Sequence, residues 1–164
     1  QVVNVGDEHN AIFDFVIPQG ESGGGGQLEA LATIDERPQQ TSANAPLIFA
    51  DPPLLSSASI QHSAGSPDVE IYQNGVYQIV FHGVVTVDNT TPLPATVTVR
   101  LYRNGVAVPC AVAIRSFTST AEVTTMSFDI PFRLSDAPAM FQIIVDREGF
   151  NFTNKTLTIV RLGD

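Results

Sequence analysis

Charge is scarce in this chain. Charged residues make up 15% of its 164 positions, against 43% apolar residues. A soluble monomer usually carries more charge on its surface. Either other copies of the chain cover part of the surface, or Thr, Ser and Gln supply its polarity instead. Lysine occurs once, at Lys155, and eight bases face seventeen acids for a net charge of -9. Such a chain repels phosphate backbones and anionic membranes, and it has no basic cluster, so nucleic acid is not an expected partner. Cysteine also occurs once, which excludes an internal disulfide and a cysteine metal site. Cys110, following Pro109, reads as a small buried hydrophobe. No apolar run reaches the roughly 18 residues that a membrane-crossing helix needs. The chain opens at Gln1 without Met or signal peptide, so processing and a longer parent chain both stay open.

A helical apolar period is missing as well, while alternation with a period of two recurs. In GVYQIVFHGVVTV, Tyr77, Ile79, Phe81, Val85 and Val87 share a face. Val97, Val99 and Leu101 repeat the pattern, as do Met126, Phe128, Ile130 and Phe132, then Phe141, Ile143 and Val145, then Leu157 and Ile159. These runs are rich in β-branched and aromatic residues, which suit a pleated surface. Asn74-Gly75 and Asn104-Gly105 are tight-turn signals, because both residues tolerate positive φ. About eight strands are expected from residue 68 onward, with shorter ones before it, in a sandwich or barrel. Pro131 falls inside a strand pattern, so it is expected at an edge or a bulge.

The first forty residues differ, holding seven of the seventeen acids and one base, Arg37. Val2 to Val5 and Ala11 to Ile17 read as short strands, and the run GESGGGG at Gly20 to Gly26 separates them from LEALATI. The organisation expected is an arm over 1–19, a glycine hinge over 20–26 and a head domain over 27–164. A phosphate-binding loop would require Lys-Ser/Thr after the last glycine and then a helix, whereas Gln27-Leu28 follows. Two short strands bury too little to stand alone, so the arm must pack on the head, on a neighbouring copy or on further sequence. A strand set off by a hinge is suited to pair with an edge of the next subunit, with Ile12, Phe13, Phe15 and Ile17 filling a groove there.

Catalytic and metal constellations are absent from the sequence. His9, His62 and His82 lack ligand spacing. No Gly-x-Ser-x-Gly elbow occurs, and the pairs Asp68/Glu70 and Asp146/Glu148 read as solvated strand faces. No compact acidic calcium loop is present either. No enzyme activity, no cofactor and no metal are expected.

The stretches SIQHSAGSPDVEIYQNGVYQIVFHGVV, VTVRLYRNGVAVP and TLTIVRLGD resemble the C-terminal head of bacterial collagen-like surface glycoproteins, which coat the exosporium of spore-forming Firmicutes. That head belongs to the tumour necrosis factor-like and complement globular-head superfamily of jelly rolls, and the likeness spans about residues 28 to 164. VNVGDEHNAIFDFVIPQG is similar to the element that precedes collagen repeats in bacterial and phage fibre proteins. Here only two triplets lacking proline follow it, too few for a triple helix, so the glycine run is a hinge. The resemblance implies an all-β jelly-roll sandwich of about ten strands, assembled as a homotrimer and carried on a spore or cell surface, outside the cell. It implies a structural fibre subunit whose partner is itself, in trimers and filaments. The alternative is an adhesive tip that binds glycans or other surface proteins through loops 88–94 and 147–154. Three jelly rolls packed through a flat sheet face would place Tyr77, Phe128 and Phe132 at the contact.

Overall fold

A computed structural model describes residues 2–4, 13–15 and 28–164. Strands β1 (Val2–Asn4) and β2 (Phe13–Phe15) pair antiparallel, with Val2 opposite Phe15. Ile12, Ile17 and the glycine hinge lie outside the described residues. The remaining strands are β3 (Ala30–Asp35), β4 (Gln39–Gln40), β5 (Ala45–Pro46), β6 (Ile60–His62), β7 (Val69–Ile71) and β8 (Gly75–Val87). They continue with β9 (Ala95–Arg103), β10 (Val106–Phe117), β11 (Val123–Leu134), β12 (Ala139–Val145) and β13 (Phe150–Gly163). Seven strands thus lie beyond residue 68, rather than about eight, because β8, β10, β11 and β13 each run for twelve to fourteen residues without a break.

Two antiparallel sheets face each other. One has the order β11-β8-β13-β3, with β4 also on β13. The other has the order β10-β9-β12-β7-β6, with β5 also on β12. Alternation dictates the interior. Along β8, every second residue from Gly75 to Val87 is buried and the residues between are half-buried. Tyr77, Ile79, Phe81 and Val85 meet Val97, Val99, Leu101, Phe141 and Ile143 of the opposite sheet in one core. Aromatic pairs knit it together, among them Phe81 with Phe128 at 5.4 Å and Phe117 with Phe150 at 5.6 Å between ring centroids. Gly83 takes an inward position on β8, where a Cβ would come within 3.2 Å of both Phe81 and Phe152. The glycine leaves room for those two rings.

The Asn104-Gly105 turn has φ of 47° and 79°, with Arg103 paired to Val106, as a tight Asn-Gly hairpin requires. Pro131 lies on β11, the terminal strand of its sheet, where its missing N–H costs no ladder bond.

A bulge in β13 between Thr153 and Thr156 shifts the parity of the strand. Phe150 and Phe152 point inward before it, and Lys155, Leu157 and Ile159 after it, with Asn154 turned out at φ 48°. The only lysine is thereby buried, directly opposite Asp35 of β3. Its Nζ is 3.3 Å from Asp35 Oδ2 and donates to Gln39 Oε1 at 3.2 Å. Burial draws the ammonium down from the ordinary lysine range, with Asp35 opposing the shift. Burial acts to raise the Asp35 carboxyl. Bonds from the main-chain N–H groups of Arg37 and Ala50, together with Lys155, outweigh it and hold the carboxyl below its usual value.

Candidate functional site

Three surfaces stand out on the head. The first is the outward face of the β11-β8-β13-β3 sheet. Register places its side chains in rows across the strands: Ser127, His82, Thr156 and Ile34 in one, and Asp129, Val80, Thr158 and Ala32 in the next. The outward positions of β8 and β13 are Val76, Gln78, Val80, His82, Val84, Thr86, Asn151, Thr153, Thr156, Thr158 and Val160, with no Asp, Glu, Lys or Arg among them. Asp129 and Arg133, on the terminal strand β11, bring charge to its border, and Gln78 Nε2 donates to Asp129. A flat, half-apolar surface of this kind is cheap to desolvate.

The second surface is the edge where β10 and β11, each terminal in its own sheet, run side by side. Val106, Ile114 and Val123 are 72%, 62% and 67% exposed along it. A bulge between Ala107 and Val112 lifts β10 away from β9, and Cys110 there has φ of 65°. Between β10 and β11 lies a groove of about 660 Å³, lined by Val106, Val108, Ile130 and Phe132 and by Arg103 and Arg133. Cys110 is exposed on its wall, not buried, because the bulge turns that residue away from the core.

The third surface lies at the opposite end of the sandwich. Loop 88–94 meets the turn at 147–149 there; the expected loop 147–154 ends at Gly149 because β13 begins at Phe150. Asp88 N and Thr91 Oγ1 both donate to Gly149 O, at 2.8 and 3.0 Å. Together with Gln40, Thr41 and Ser42 they line a polar cleft of about 600 Å³. Asp88 accepts from Thr90 N at 3.0 Å and Gln40 Nε2 at 2.8 Å. Those bonds, from Thr90 first, hold its carboxyl below the ordinary range.

The aromatics expected at a subunit contact are placed differently. Tyr77 is fully buried, stacks on Phe132 at 5.7 Å and donates its hydroxyl to Gln73 O at 2.7 Å, and burial pushes its phenol up. Phe128 is 6% exposed against Phe81, and Phe132 is half-buried against Phe141 at 5.1 Å. These residues have the inward parity of β8 and β11 and serve the core of one subunit. The neutral outward parity of β8 and β13 was the signal that sequence reasoning passed over. His62 lies between the main-chain carbonyls of Asp68 and Phe49, at 2.9 and 3.1 Å, remote from His82 on the outer face. Among the described residues, no group of three or more His, Cys, Asp and Glu is arranged to hold a metal, and no helix is long and apolar enough to cross a membrane.

Strand order and core place the head among known folds. No family profile matches the chain, and no curated protein does. Solved structures do match. Eiger, a tumour necrosis factor from S. frugiperda, superposes with a TM-score of 0.66 at 14% identity, over 84% of this chain and 94% of that one. Murine APRIL at pH 5.0 gives 0.63 at 16% identity, over 83% and 100%. The globular domain of zebrafish complement 1qA protein gives 0.56 at 14%, over 82% and 97%. The head is a tumour necrosis factor-like jelly roll. The chain enters this fold at Glu29, at the end that holds the groove, and the polar cleft lies at the other end.

Proposed function

We propose that the chain is a structural subunit of an extracellular fibre on a spore or cell surface, with residues 27–164 forming a homotrimeric head, 20–26 a hinge and 1–19 a linking arm. One observation carries this reading. The head presents a flat, uncharged sheet face on one side and an apolar edge on another, in a chain with few charges elsewhere. The edge of one copy, with Val106, Ile114 and Val123, fits against the face of the next. That contact is head-to-tail, and three such contacts closing into a ring shield every face and every edge. The jelly-roll likeness to cytokine and complement heads supports the arrangement, as does the glycine-hinged arm on the sequence side. The trimer contact thus uses Val80, Val84 and Thr158, with Tyr77, Phe128 and Phe132 backing them from within.

Light scattering on the purified chain tests this. A particle of three times 17.6 kDa is expected, and a stable monomer at micromolar concentration overturns it.

A second reading, an adhesive tip, draws on the polar cleft. Carboxylate, amide and hydroxyl groups from Asp88, Gln40, Thr41 and Thr91 converge there, a set able to bond sugar hydroxyls. Reproducible glycan-array binding that Asp88→Ala and Gln40→Ala abolish would support it.

A further inference from the structure

The geometry points to an occupant for the groove between β10 and β11: the N-terminal arm of the neighbouring copy, laid in as an added strand. This rests on the head-to-tail trimer.

The tether is fixed in place. Glu29 accepts from Arg161 at 3.0 Å through its side chain, and its carbonyl accepts from the Arg161 main-chain N–H at 2.9 Å. The arm therefore leaves from the start of β3, at one edge of its sheet. Pairings carry Ala30 through Val160 and Gln78 to Pro131, which lines the groove. Tether and groove thus lie at the same end of the sandwich, three strand spacings or about 14 Å apart along the sheet. They occupy opposite edges of one copy, and seating the β10–β11 edge of one copy on the outer face of the next sets that neighbour's β3 beside the groove. Residues 20–28, fully extended, span about 30 Å, ample for the crossing.

The chemistry of the two parts matches. Residues 1–27 contain Asp7, Glu8, Asp14 and Glu21 and no Lys or Arg. The groove carries two of the chain's eight bases, Arg133 and Arg103, the latter ion-paired with Asp136, and no acid lines the groove itself. Its floor is apolar, and the arm brings Ile12, Phe13, Phe15 and Ile17. β11 offers an open ladder edge. The arm, for its part, needs cover, because a two-stranded sheet such as β1-β2 is marginal by itself.

Cys110, on the groove wall, allows a direct test. Two full-length versions are co-expressed, one with the native Cys110 and one carrying Val16→Cys with Cys110→Ser. The sample is oxidised with diamide. A covalent dimer of twice 17.6 kDa is expected. It should form about a hundredfold faster than with Ser119→Cys in place of Val16→Cys, because docking raises the local thiol concentration. Arg133→Glu on the Cys110 copy should remove most of that advantage while light scattering still gives the trimer mass. Equal rates for the two cysteine positions, or a disulfide closing only within one chain when Val16→Cys and Cys110 share it, overturn the inference. Light scattering on the wild type separates the failures. A trimer without the crosslink refutes the arm alone, whereas a monomer refutes the trimer beneath it.

Discussion

The two sheets of the jelly roll are built by the same alternation, yet their outer faces differ. On the β10-β9-β12-β7-β6 sheet the outward positions include Arg100, Glu70 and Gln61, and Gln142 donates to Asp68 at 2.6 Å. On β8 and β13 of the other sheet they are Val, Thr, Gln, Asn and His. Inward, both sheets carry the same aliphatic and aromatic set. Period tells which side of a strand is the core, and the residues left over tell whether the other side meets water. The charged face needs nothing more, while the neutral face has Val80 and Val84 at partial exposure beside an edge with three exposed aliphatics.

Placing a charge on the neutral face breaks this contrast most severely. Val80→Arg puts a guanidinium at the centre of the face, and the particle should fall to monomer mass in light scattering while its circular dichroism stays β. The next largest effect lies behind that face. Lys155→Ala leaves the Asp35 carboxylate buried without its counter-charge, which should cost about 3–5 kcal/mol in denaturant unfolding. A smaller effect comes from acid. Asp35 titrates below its unfolded value of about 3.9, so its contribution is present above that pH and is lost as pH falls through the lowered folded value. Thermal melts should show stability dropping below about pH 4, and Asp35→Asn should flatten that drop. The smallest change is expected on the charged face. Glu70→Lys should alter stability by less than about 0.5 kcal/mol and leave the particle mass unchanged.

Much of the sandwich was legible in the sequence because its signal is local. The alternation in 75–87 became β8 without a break, the Asn104-Gly105 turn formed as its residues demand, and Pro131 took an edge. The features that escaped are the ones where the ladder slips. Nothing around Asn154 announces a bulge, yet the bulge reverses parity and buries Lys155. The bulge before Val112 likewise turns Cys110 outward, onto the wall of a groove that composition does not foretell. The surface aromatics were misplaced for a related reason: Tyr77 and Phe128 do share a face, but alternation alone does not say which of the two faces is inside. Loop 88–94 was visible, whereas 147–154 holds only a short turn before β13 begins at Phe150, and the meeting of the two at Gly149 depends on pairing across the whole fold.

The clasp between Glu29 and Arg161 has a mechanical consequence. Any tension arriving along the N-terminal arm enters the jelly roll at Glu29 and runs along β3, whose ladder to β13 spans Ala30 to Asp35. The end of β13 lies beside that entry point, so a pull between Glu29 and the C-terminus opens the seam bond by bond from there, and the buried Asp35–Lys155 pair, at the far end, is the last to be reached. Under single-molecule stretching by the two termini the Glu29–Arg161 clasp is the first contact to bear the load, and Arg161→Ala should let that end peel at lower force.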